Sequence, residues 1–294
     1  MVLKILVTGS SGYIGSNFIN YFSNKYSFIR FSLLKSPLNS IDFANIDTVL
    51  HCAALVHQKM GIPYKEYLEV NVNYPILLAK KAKESGVKQF VFISTVAVYG
   101  EENRLLKEST VCKPETSYGK SKFEAEKLLQ ELENDNFIVS IIRPPMVYGE
   151  DAPGNIEALV KLVKKIPLLP FGKIGNRRSF VYIGNLCHLI DAVLEKRQSG
   201  VFLASDDKPL STTRLIELIS DALGKKVYLV KIPFFEALLK MLKPSLHKKL
   251  YESLEVDNSS TKEVLGLKDP YDIEDGIRLM IHGTDDLNFR LSSE

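Results

Sequence analysis

The sequence predicts an α/β fold, in which a doubly wound parallel sheet is joined to a smaller mixed α/β lobe. Short aliphatic runs alternate with helical segments along the first half of the chain, an order that is typical of parallel sheets. A glycine-rich turn follows the first run directly, and beyond Gly149 the composition changes to shorter segments with more proline and glycine. With 294 residues and 45% hydrophobic content, the chain can hold one large domain or two modest ones.

Strands are expected wherever a short apolar run is bounded by polar or turn residues, because a parallel strand is buried on both faces. Helices are expected between these runs, where apolar residues recur at helical spacing. The predicted strands are Met1–Val7, Phe28–Leu34, Asp47–Cys52, Val87–Ser94, Phe137–Arg143 and Gly200–Ala204. The predicted helices cover residues 12–24, 65–85, 117–133, 156–165, 185–197 and 212–223.

The first predicted strand passes into a turn that has glycine at positions 9, 12 and 15. Gly9 lets the chain turn sharply off the strand, Gly12 lets bare backbone approach a pyrophosphate, and Gly15 lets the next helix pack closely. The N-terminus of that helix offers N–H groups and a partial positive charge to phosphates. We therefore predict a Rossmann-type dinucleotide-binding domain over residues 1–148, to which residues 179–204 return, and a second lobe over residues 149–178 and 205–294.

The second predicted strand has no acidic residue near its end, where folds that bind NAD place one for the ribose 2′-hydroxyl. Ser32 and Lys35 stand there instead, and a small polar residue with a nearby cation suits a 2′-phosphate. The sequence therefore favours NADP slightly over NAD. Asp42 is the first acid after the strand, and it either contacts the adenine or serves as a turn or helix-cap residue.

Composition argues against several other classes of protein. The net charge of +3 is close to balance, so no nucleic-acid partner is indicated. The three cysteines have neither pairing nor metal-ligand spacing, so we expect no metal site and a reducing, cytoplasmic location. No apolar stretch reaches membrane-spanning length. The segment Ile232–Lys243 is interpreted as an amphipathic helix that covers a cavity, with binding to a membrane surface as the alternative.

Tyr118 and Lys122 stand four residues apart at the start of a predicted helix, a spacing that puts both on one helix face. The ammonium of Lys122 and a positively charged nicotinamide both favour the phenolate, so they would move the pKa of Tyr118 toward working pH. Thr95 follows the fourth predicted strand and can donate a hydrogen bond to a substrate oxygen. These residues predict proton exchange with an alcohol or ketone while a cofactor exchanges hydride. His51 is interpreted as a packed residue rather than a catalytic one.

Five motifs lie in order along the chain: Thr8–Gly15, His51–Ala54, Ser94–Gly100, Tyr118–Lys122 and Arg143–Gly149. Together they resemble the extended short-chain dehydrogenase/reductase family, whose typical members are nucleotide-sugar epimerases, dehydratases and reductases. The resemblance covers nearly the whole chain, because residues 178–183 and 257–261 are similar to that family's sugar-binding segments.

The resemblance implies a role for each matching residue. Thr95, Tyr118 and Lys122 would be catalytic, and Lys122 would also hold the nicotinamide ribose. Arg178 would pair with the substrate diphosphate, which suits a forked guanidinium, and Asn155 and Thr95 would also contact the substrate. The family further implies a homodimer assembled through helices. The residues implied in cofactor binding are Gly9, Ser11, Gly12, Tyr13, Ile14, Gly15, Ala53, Ala54, Ser94, Tyr118, Lys122 and Pro145, beside Ser32, Lys35 and Asp42.

Two departures from the family pattern bear on the reaction and on the substrate. Related 4,6-dehydratases place Asp-Glu directly after the catalytic threonine, whereas this chain has Val96 and Ala97, so dehydration is not expected. Many epimerases have a second diphosphate-binding arginine, and this chain offers His247, Lys248 and Lys249 in that region. The identity of the sugar is therefore left open.

The segments Lys35–Pro37 and Arg177–Ser179, together with Asn155, resemble a subgroup named for UDP-glucose 4-epimerase. That subgroup includes 4-keto reductases for UDP-linked deoxy-amino sugars of surface polysaccharides, so the resemblance implies a UDP-sugar and hydride transfer at C4. Two reactions fit, namely reduction with NADPH and epimerisation with tightly held NAD, and the missing acid after the second strand slightly favours reduction. A non-catalytic dinucleotide sensor is a remote alternative, since it would not need Tyr118 and Lys122 on one face.

Overall fold

The structure is a computed structural model, which describes residues 2–32, 37–56, 61–102 and 105–283. Lys35, predicted to lie near the cofactor, is outside the described residues. The strands are β1 (Lys4–Thr8), β2 (Ser27–Phe31), β3 (Thr48–His51), β4 (Gln89–Ile93), β5 (Leu105–Leu106), β6 (Ile138–Arg143), β7 (Met146–Tyr148), β8 (Leu168–Leu169), β9 (Phe180–Tyr182), β10 (Gly200–Leu203), β11 (Tyr228–Leu229) and β12 (Glu255–Val256).

Helices follow most of these strands in the chain. They are α1 (Tyr13–Tyr21), α2 (Tyr64–Leu68), α3 (Tyr74–Glu84), α4 (Ser117–Gln130), α5 (Asn155–Lys165), α6 (Ile183–Lys196), α7 (Thr212–Ala222), α8 (Phe235–Leu242), α9 (Pro244–Tyr251), α10 (Ser259–Leu265) and α11 (Ile273–His282). Among the described helices, none is long and apolar enough to cross a membrane.

Contacts separate the chain into two compact units. Among the described residues, unit 1 takes those up to Pro145 together with Leu186–Ala204 and Asp257–Lys268. Unit 2 takes Met146–Asn185, Ser205–Val256 and the residues from Asp269 onward.

The centre of unit 1 is a six-stranded sheet in the order β10-β6-β4-β3-β1-β2, and all of its strand pairs are parallel. This confirms the predicted parallel α/β sheet. Every residue of β3 and β4 is buried, which explains why most residues in these two strands are apolar. The chain runs from β1 to β2 on one side and then crosses to β3 on the other. The carboxyl ends of β1 and β3 therefore flank a topological switch point, where ligands bind in such sheets.

The predicted helix over residues 65–85 is interrupted by a π-helical turn at Glu69–Asn73, which lies between α2 and α3. The wider turn includes Asn71, which is buried at 1% exposure among apolar residues. Periodicity did not predict the interruption, because a π turn changes the helical spacing over a single turn. Such turns occur often at functional sites, and this one positions a side chain described below.

Unit 2 has two small parallel strand pairs, β7 with β9 and β8 with β11, and several helices. The amphipathic helix predicted within Ile232–Lys243 forms as α8, but none of its residues is buried. The unit 2 cavity described below is lined by the next helix, α9, so the expectation that α8 covers a cavity is not met there.

Candidate active site

The glycine turn after β1 has the backbone geometry that its sequence predicted. Gly9 has a φ of 66°, and a Cβ atom there would lie 2.6 Å from the Ala53 nitrogen at the end of the neighbouring strand. A Cβ atom at Gly15 would lie 2.5 Å from the Gly9 carbonyl oxygen. Side chains at either position would push α1 or the β3 loop away, so both glycines are required for this close packing.

The N-terminus of α1 fits a phosphate. Gly12 precedes the helix in an extended conformation and is exposed, as is Ser11. No side chain caps this end of α1, and no acidic residue lies in its first turn. Backbone N–H groups therefore point outward at the positive end of the helix dipole, beside the switch point of the sheet. Tyr13 and Ile14 are half-buried in that first turn.

The end of β3 is fixed by two buried polar side chains. The Nδ1 atom of His51 lies 2.9 Å from the Thr8 hydroxyl oxygen, and the imidazole ring lies beside the rings of Phe90 and Phe92. Burial lowers the pKa of His51 to about 3, so the ring stays neutral. His51 is thus a packed residue, as interpreted from the sequence, and the half-buried Ala53 and Ala54 follow it.

Asn71 connects the β3 loop to α4, a role that the sequence analysis missed. Its Oδ1 atom accepts a hydrogen bond of 2.8 Å from the Leu55 N–H, and its Nδ2 atom donates to the Leu55 carbonyl at 3.0 Å. Nδ2 also donates to the Ser121 hydroxyl at 3.0 Å. An asparagine within an apolar helical segment was the available signal, because a buried amide must find partners.

Thr95 follows β4 and starts the short 3₁₀ turn Val96–Tyr99. Its hydroxyl oxygen accepts from the Ala97 N–H at 3.2 Å. Because the oxygen is the acceptor in this bond, the hydroxyl hydrogen can be donated to another group. The half-buried Thr95 therefore has the donor that the sequence analysis required of it.

Helix α4 begins against the Thr95 turn through a bare backbone contact. Thr116 caps the helix by accepting from the Gly119 N–H at 3.0 Å. A Cβ atom at Gly119 would lie 2.6 Å from the Ala97 carbonyl oxygen. Glycine at position 119 therefore lets the first turn of α4, which carries Tyr118, lie close to the turn that begins at Thr95.

Lys122 is fully buried, one helical turn after Tyr118. Its Nζ atom donates to the Ile93 carbonyl at 2.7 Å and lies 4.1 Å from the centre of the Phe92 ring. Burial lowers the pKa of Lys122 to about 7, against the raising effect of Glu126 and Cys52. Burial raises the pKa of Tyr118 above its ordinary value, which is the opposite of the direction expected from Lys122 and a nicotinamide together.

A buried polar network lies one turn beyond Lys122, and the sequence analysis missed it as well. Arg143 donates to the Glu126 carboxylate from Nε at 3.0 Å and from Nη2 at 2.5 Å. Arg143 also donates to the Tyr99 hydroxyl at 2.7 Å, and the Ser94 hydroxyl donates to Glu126. The network joins the ends of β4 and β6 to α4. Its signal in the sequence was an arginine at the end of a mostly apolar strand.

Unit 2 has its own cavity, of about 250 Å³, which contains Arg178 and Asn155 together. The Nη1 atom of Arg178 donates to the carbonyls of Lys248 and Glu252 at 3.3 and 3.0 Å, and the Nζ atom of Lys249 lies 3.5 Å from Asn155 Oδ1. Apolar side chains complete the wall; they include Met146, Leu162, Phe171, Phe180, Leu246 and Leu250. The cavity thus combines cationic groups with an apolar lining.

Three further predicted site residues, Ser32, Asp42 and Pro145, belong to unit 1. Ser32 is half-buried directly after β2, and Pro145 is buried. Asp42 is exposed and accepts from the Ala44 N–H at 2.9 Å, as an Asx turn does. Its contact with an adenine stays a prediction. In unit 2, the exposed Arg177 forms an ion pair with Glu255 at 2.9 Å.

Comparisons with known proteins agree on one family. Residues 5–203 match the NAD dependent epimerase/dehydratase family. The chain is 36% identical to a UDP-glucose 4-epimerase of Vibrio cholerae, a match that covers 95% of this chain and 94% of the relative. It is 31% identical to an N-acetyl-alpha-D-glucosaminyl-diphospho-ditrans,octacis-undecaprenol 4-epimerase of Escherichia coli O157:H7, over 65% of this chain and 59% of the relative.

The fold agrees with these sequence matches. The crystal structure of UDP-glucuronic acid 4-epimerase from Bacillus cereus, in complex with NAD, superposes with a TM-score of 0.77. That match has 22% identity and covers 97% of this chain and 99% of the other. The predicted resemblance to extended short-chain dehydrogenases/reductases is confirmed, and the chain is an enzyme that belongs to the NAD dependent epimerase/dehydratase family.

Proposed function

We propose that this enzyme transfers hydride at C4 of a UDP-sugar, with Tyr118 as the proton-transferring residue. The observation that carries the proposal is the contact of α4 with the Thr95 turn, in which only a glycine at position 119 lets the two backbones meet. It lies in the unit that also contains the glycine turn suited to a dinucleotide. An acid–base tyrosine and a hydroxyl donor beside a dinucleotide site are the parts that carbonyl–alcohol exchange needs.

The residues of unit 1 divide the chemistry between them. A bound nicotinamide cofactor supplies or accepts the hydride. Thr95 donates its hydroxyl hydrogen to the substrate oxygen and so stabilises the charge that develops there. Tyr118 gives a proton to that oxygen in reduction and removes it in oxidation. Burial keeps the Tyr118 phenol protonated. Without a bound cofactor, Tyr118 is therefore in the state that donates a proton, as reduction requires.

Lys122 and its surroundings hold this pair in place. Its ammonium would bind the nicotinamide ribose hydroxyls, while the Ile93 carbonyl keeps it aligned at the end of β4. Glu126 and Arg143 fix the next turn of α4 to the sheet. Asn71 fixes the same helix to the β3 loop through Ser121.

The substrate diphosphate would bind in the cavity of unit 2. Arg178 is the forked cation there, and its hydrogen bonds to two carbonyls orient the guanidinium. Lys249 adds a second cation beside Asn155. These groups stand in for the second arginine that many epimerases use.

Two net reactions share the C4 step, and each is supported by one observation. Reduction of a 4-keto sugar with NADPH is supported by Ser32, which follows β2 where NAD-binding folds place an acid. Epimerisation with retained NAD is supported by the sequence match to a UDP-glucose 4-epimerase over 95% of the chain.

The nucleotide that copurifies with the protein discriminates between them. Mass spectrometry of that nucleotide should be followed by assays with 4-keto UDP-sugars plus NADPH, and with UDP-glucose or UDP-GlcNAc without added cofactor. Bound NAD with cofactor-free interconversion would exclude the reductase. NADPH consumption with a 4-keto sugar would exclude the epimerase.

The variant Tyr118→Phe tests the shared step. We expect kcat to fall by about 10²–10⁴-fold, with dinucleotide binding unchanged, because the phenol supplies a proton and not binding energy. Tyr64→Phe is the matched control, since Tyr64 is an exposed residue of α2 that binds Glu124. A Tyr118→Phe enzyme as active as this control would refute the proposal.

A further inference from the structure

Helix α8 and the residue before it present an apolar stripe to solvent. Phe234, Leu238, Met241 and Leu242 recur at positions i, i+4, i+7 and i+8, which lie on one face of a helix. Their exposed fractions are 88%, 50%, 72% and 65%. Soluble proteins ordinarily turn such a face toward their core, so a contiguous exposed stripe indicates a binding surface.

The inner side of α8 is already attached to the rest of unit 2. The ring of Phe235 makes an edge contact with Phe171 at a centroid distance of 6.2 Å. Glu236 lies 3.4 Å from the buried His247 of α9, whose imidazole stacks on the Tyr251 ring. The exposed stripe therefore belongs to a helix that is attached to unit 2 by its other residues, and not to a loose segment.

Phe234 is held in an unfavourable backbone conformation. Its φ of 63° lies in the left-handed region, which bulky residues rarely adopt. This turn puts a large aromatic side chain in solvent at the start of α8. A strained residue that exposes a phenyl ring is a reason to infer a function for the ring.

Positive charge is concentrated around the stripe. Residues 231–243 contain three lysines and one acid, Glu236, for a net charge of +2. The whole chain carries +3, so these 13 residues hold most of its excess positive charge. None of Lys231, Lys240 and Lys243 forms an ion pair with a residue that the structure describes, and all three are exposed.

We propose that this stripe docks the enzyme on the surface of an anionic phospholipid bilayer. Phe234, Leu238, Met241 and Leu242 would enter the boundary between headgroups and acyl chains, and the lysines would contact the phosphates. An exposed apolar face bordered by lysines is the pattern of an interfacial helix. A purely apolar partner or a second copy of the stripe would leave this concentration of positive charge without a counterpart. The proposal goes beyond the proposed reaction and does not depend on it.

The absence of tryptophan from the sequence allows a site-specific test with the full chain. Met241→Trp introduces one indole into the stripe, and Val111→Trp introduces one at a similarly exposed position, 69% against 72%, outside it. Vesicles of phosphatidylcholine, with and without phosphatidylglycerol, are then added. We expect a blue shift of the emission for Met241→Trp with anionic vesicles, and none for Val111→Trp.

Flotation of the chain without an introduced tryptophan, with the same vesicles, measures its affinity for the lipid surface. Leu238→Glu with Met241→Glu should abolish flotation, whereas Lys240→Glu with Lys243→Glu should weaken it at least fivefold for each lysine replaced. Thermal unfolding verifies that each exposed variant is folded. Equal shifts at both tryptophans, flotation unaffected by Leu238→Glu with Met241→Glu, or a blue shift that appears without lipid as the protein self-associates would each overturn the proposal.

Discussion

The guanidinium of Arg143 donates to both carboxylate oxygens of Glu126, and both side chains are almost completely buried, at 6% and 1% exposure. Ser94 and Tyr99 complete the hydrogen bonding of this pair. A buried ion pair adds little net stability by itself, because desolvation offsets much of the attraction. It does fix geometry, and here it fixes the helix of Tyr118 and Lys122 to the end of β6.

Removing both members of this pair should cost less stability than the two single removals added together. We expect Arg143→Met to lower the free energy of unfolding by about 3–5 kcal/mol, because Glu126 would remain as a buried, unpaired charge. The double variant Glu126→Leu with Arg143→Met should lose less than the sum of the two single variants. Denaturant unfolding of all four proteins measures the difference. A loss in the double variant equal to the sum of the two single losses would show that Glu126 and Arg143 are not coupled.

Lys122→Met should change how stability depends on pH. In the folded chain burial lowers the pKa of Lys122 to about 7, whereas its ordinary value is 10.5. Between these values the unfolded chain binds more protons, so the stability of the parent enzyme rises with pH. Lys122→Met lacks the cost of burying this amine. The free energy of unfolding of the variant, relative to that of the parent enzyme, should therefore be highest at and below pH 7 and should fall toward pH 10.

The slope attributable to Lys122 is at most about 1.4 kcal/mol per pH unit. The hydrogen bond to Ile93 is lost at every pH, so the pH dependence alone tests the claim. Urea midpoints of the cofactor-free proteins at pH 7, 8 and 9 suffice. Parallel curves for the parent and the variant would show that Lys122 is not titrating in this range.

Gly119→Ala should impair catalysis although alanine is the better helix former. The added Cβ atom would lie 2.6 Å from the Ala97 carbonyl, so α4 must move away from the Thr95 turn. We expect a loss of about 1–3 kcal/mol in stability and a larger effect on kcat than on KM. Gly175→Ala is the control, because a Cβ atom there meets no atom within 4 Å. Equal kinetics for both variants would contradict the close contact.

Arg178→Lys should weaken substrate binding. Lysine keeps the charge but loses the guanidinium, whose Nη1 atom donates to two carbonyls and whose forked shape would bind a diphosphate. We expect KM for the UDP-sugar to rise about 10–100-fold, the equivalent of one charge-assisted hydrogen bond, with kcat little changed. Arg177→Lys provides the control, since Arg177 is exposed and paired with Glu255. Similar KM values for the two variants would show that Arg178 does not bind the substrate.

Local patterns in the sequence were sufficient for the strands and for the glycine turn. A parallel strand that is buried on both faces is apolar along most of its length, and a turn with positive φ favours glycine, so both are visible within a few residues. The predicted Tyr118 and Lys122 are likewise four residues apart. Their roles in catalysis stay predictions.

The sequence by itself thus determined the parallel sheet, the turn at Gly9 and the helix that carries Tyr118. Only the tertiary structure decided which distant residues support that helix: Arg143 lies 17 residues from Glu126 and 44 from Tyr99, and Asn71 lies 50 from Ser121. Amphipathic spacing also predicted α8, but the expectation that this helix covers a cavity is not met at the cavity of unit 2. Hydrogen-bond partners and burial depend on how the chain returns to itself, and no local period encodes that.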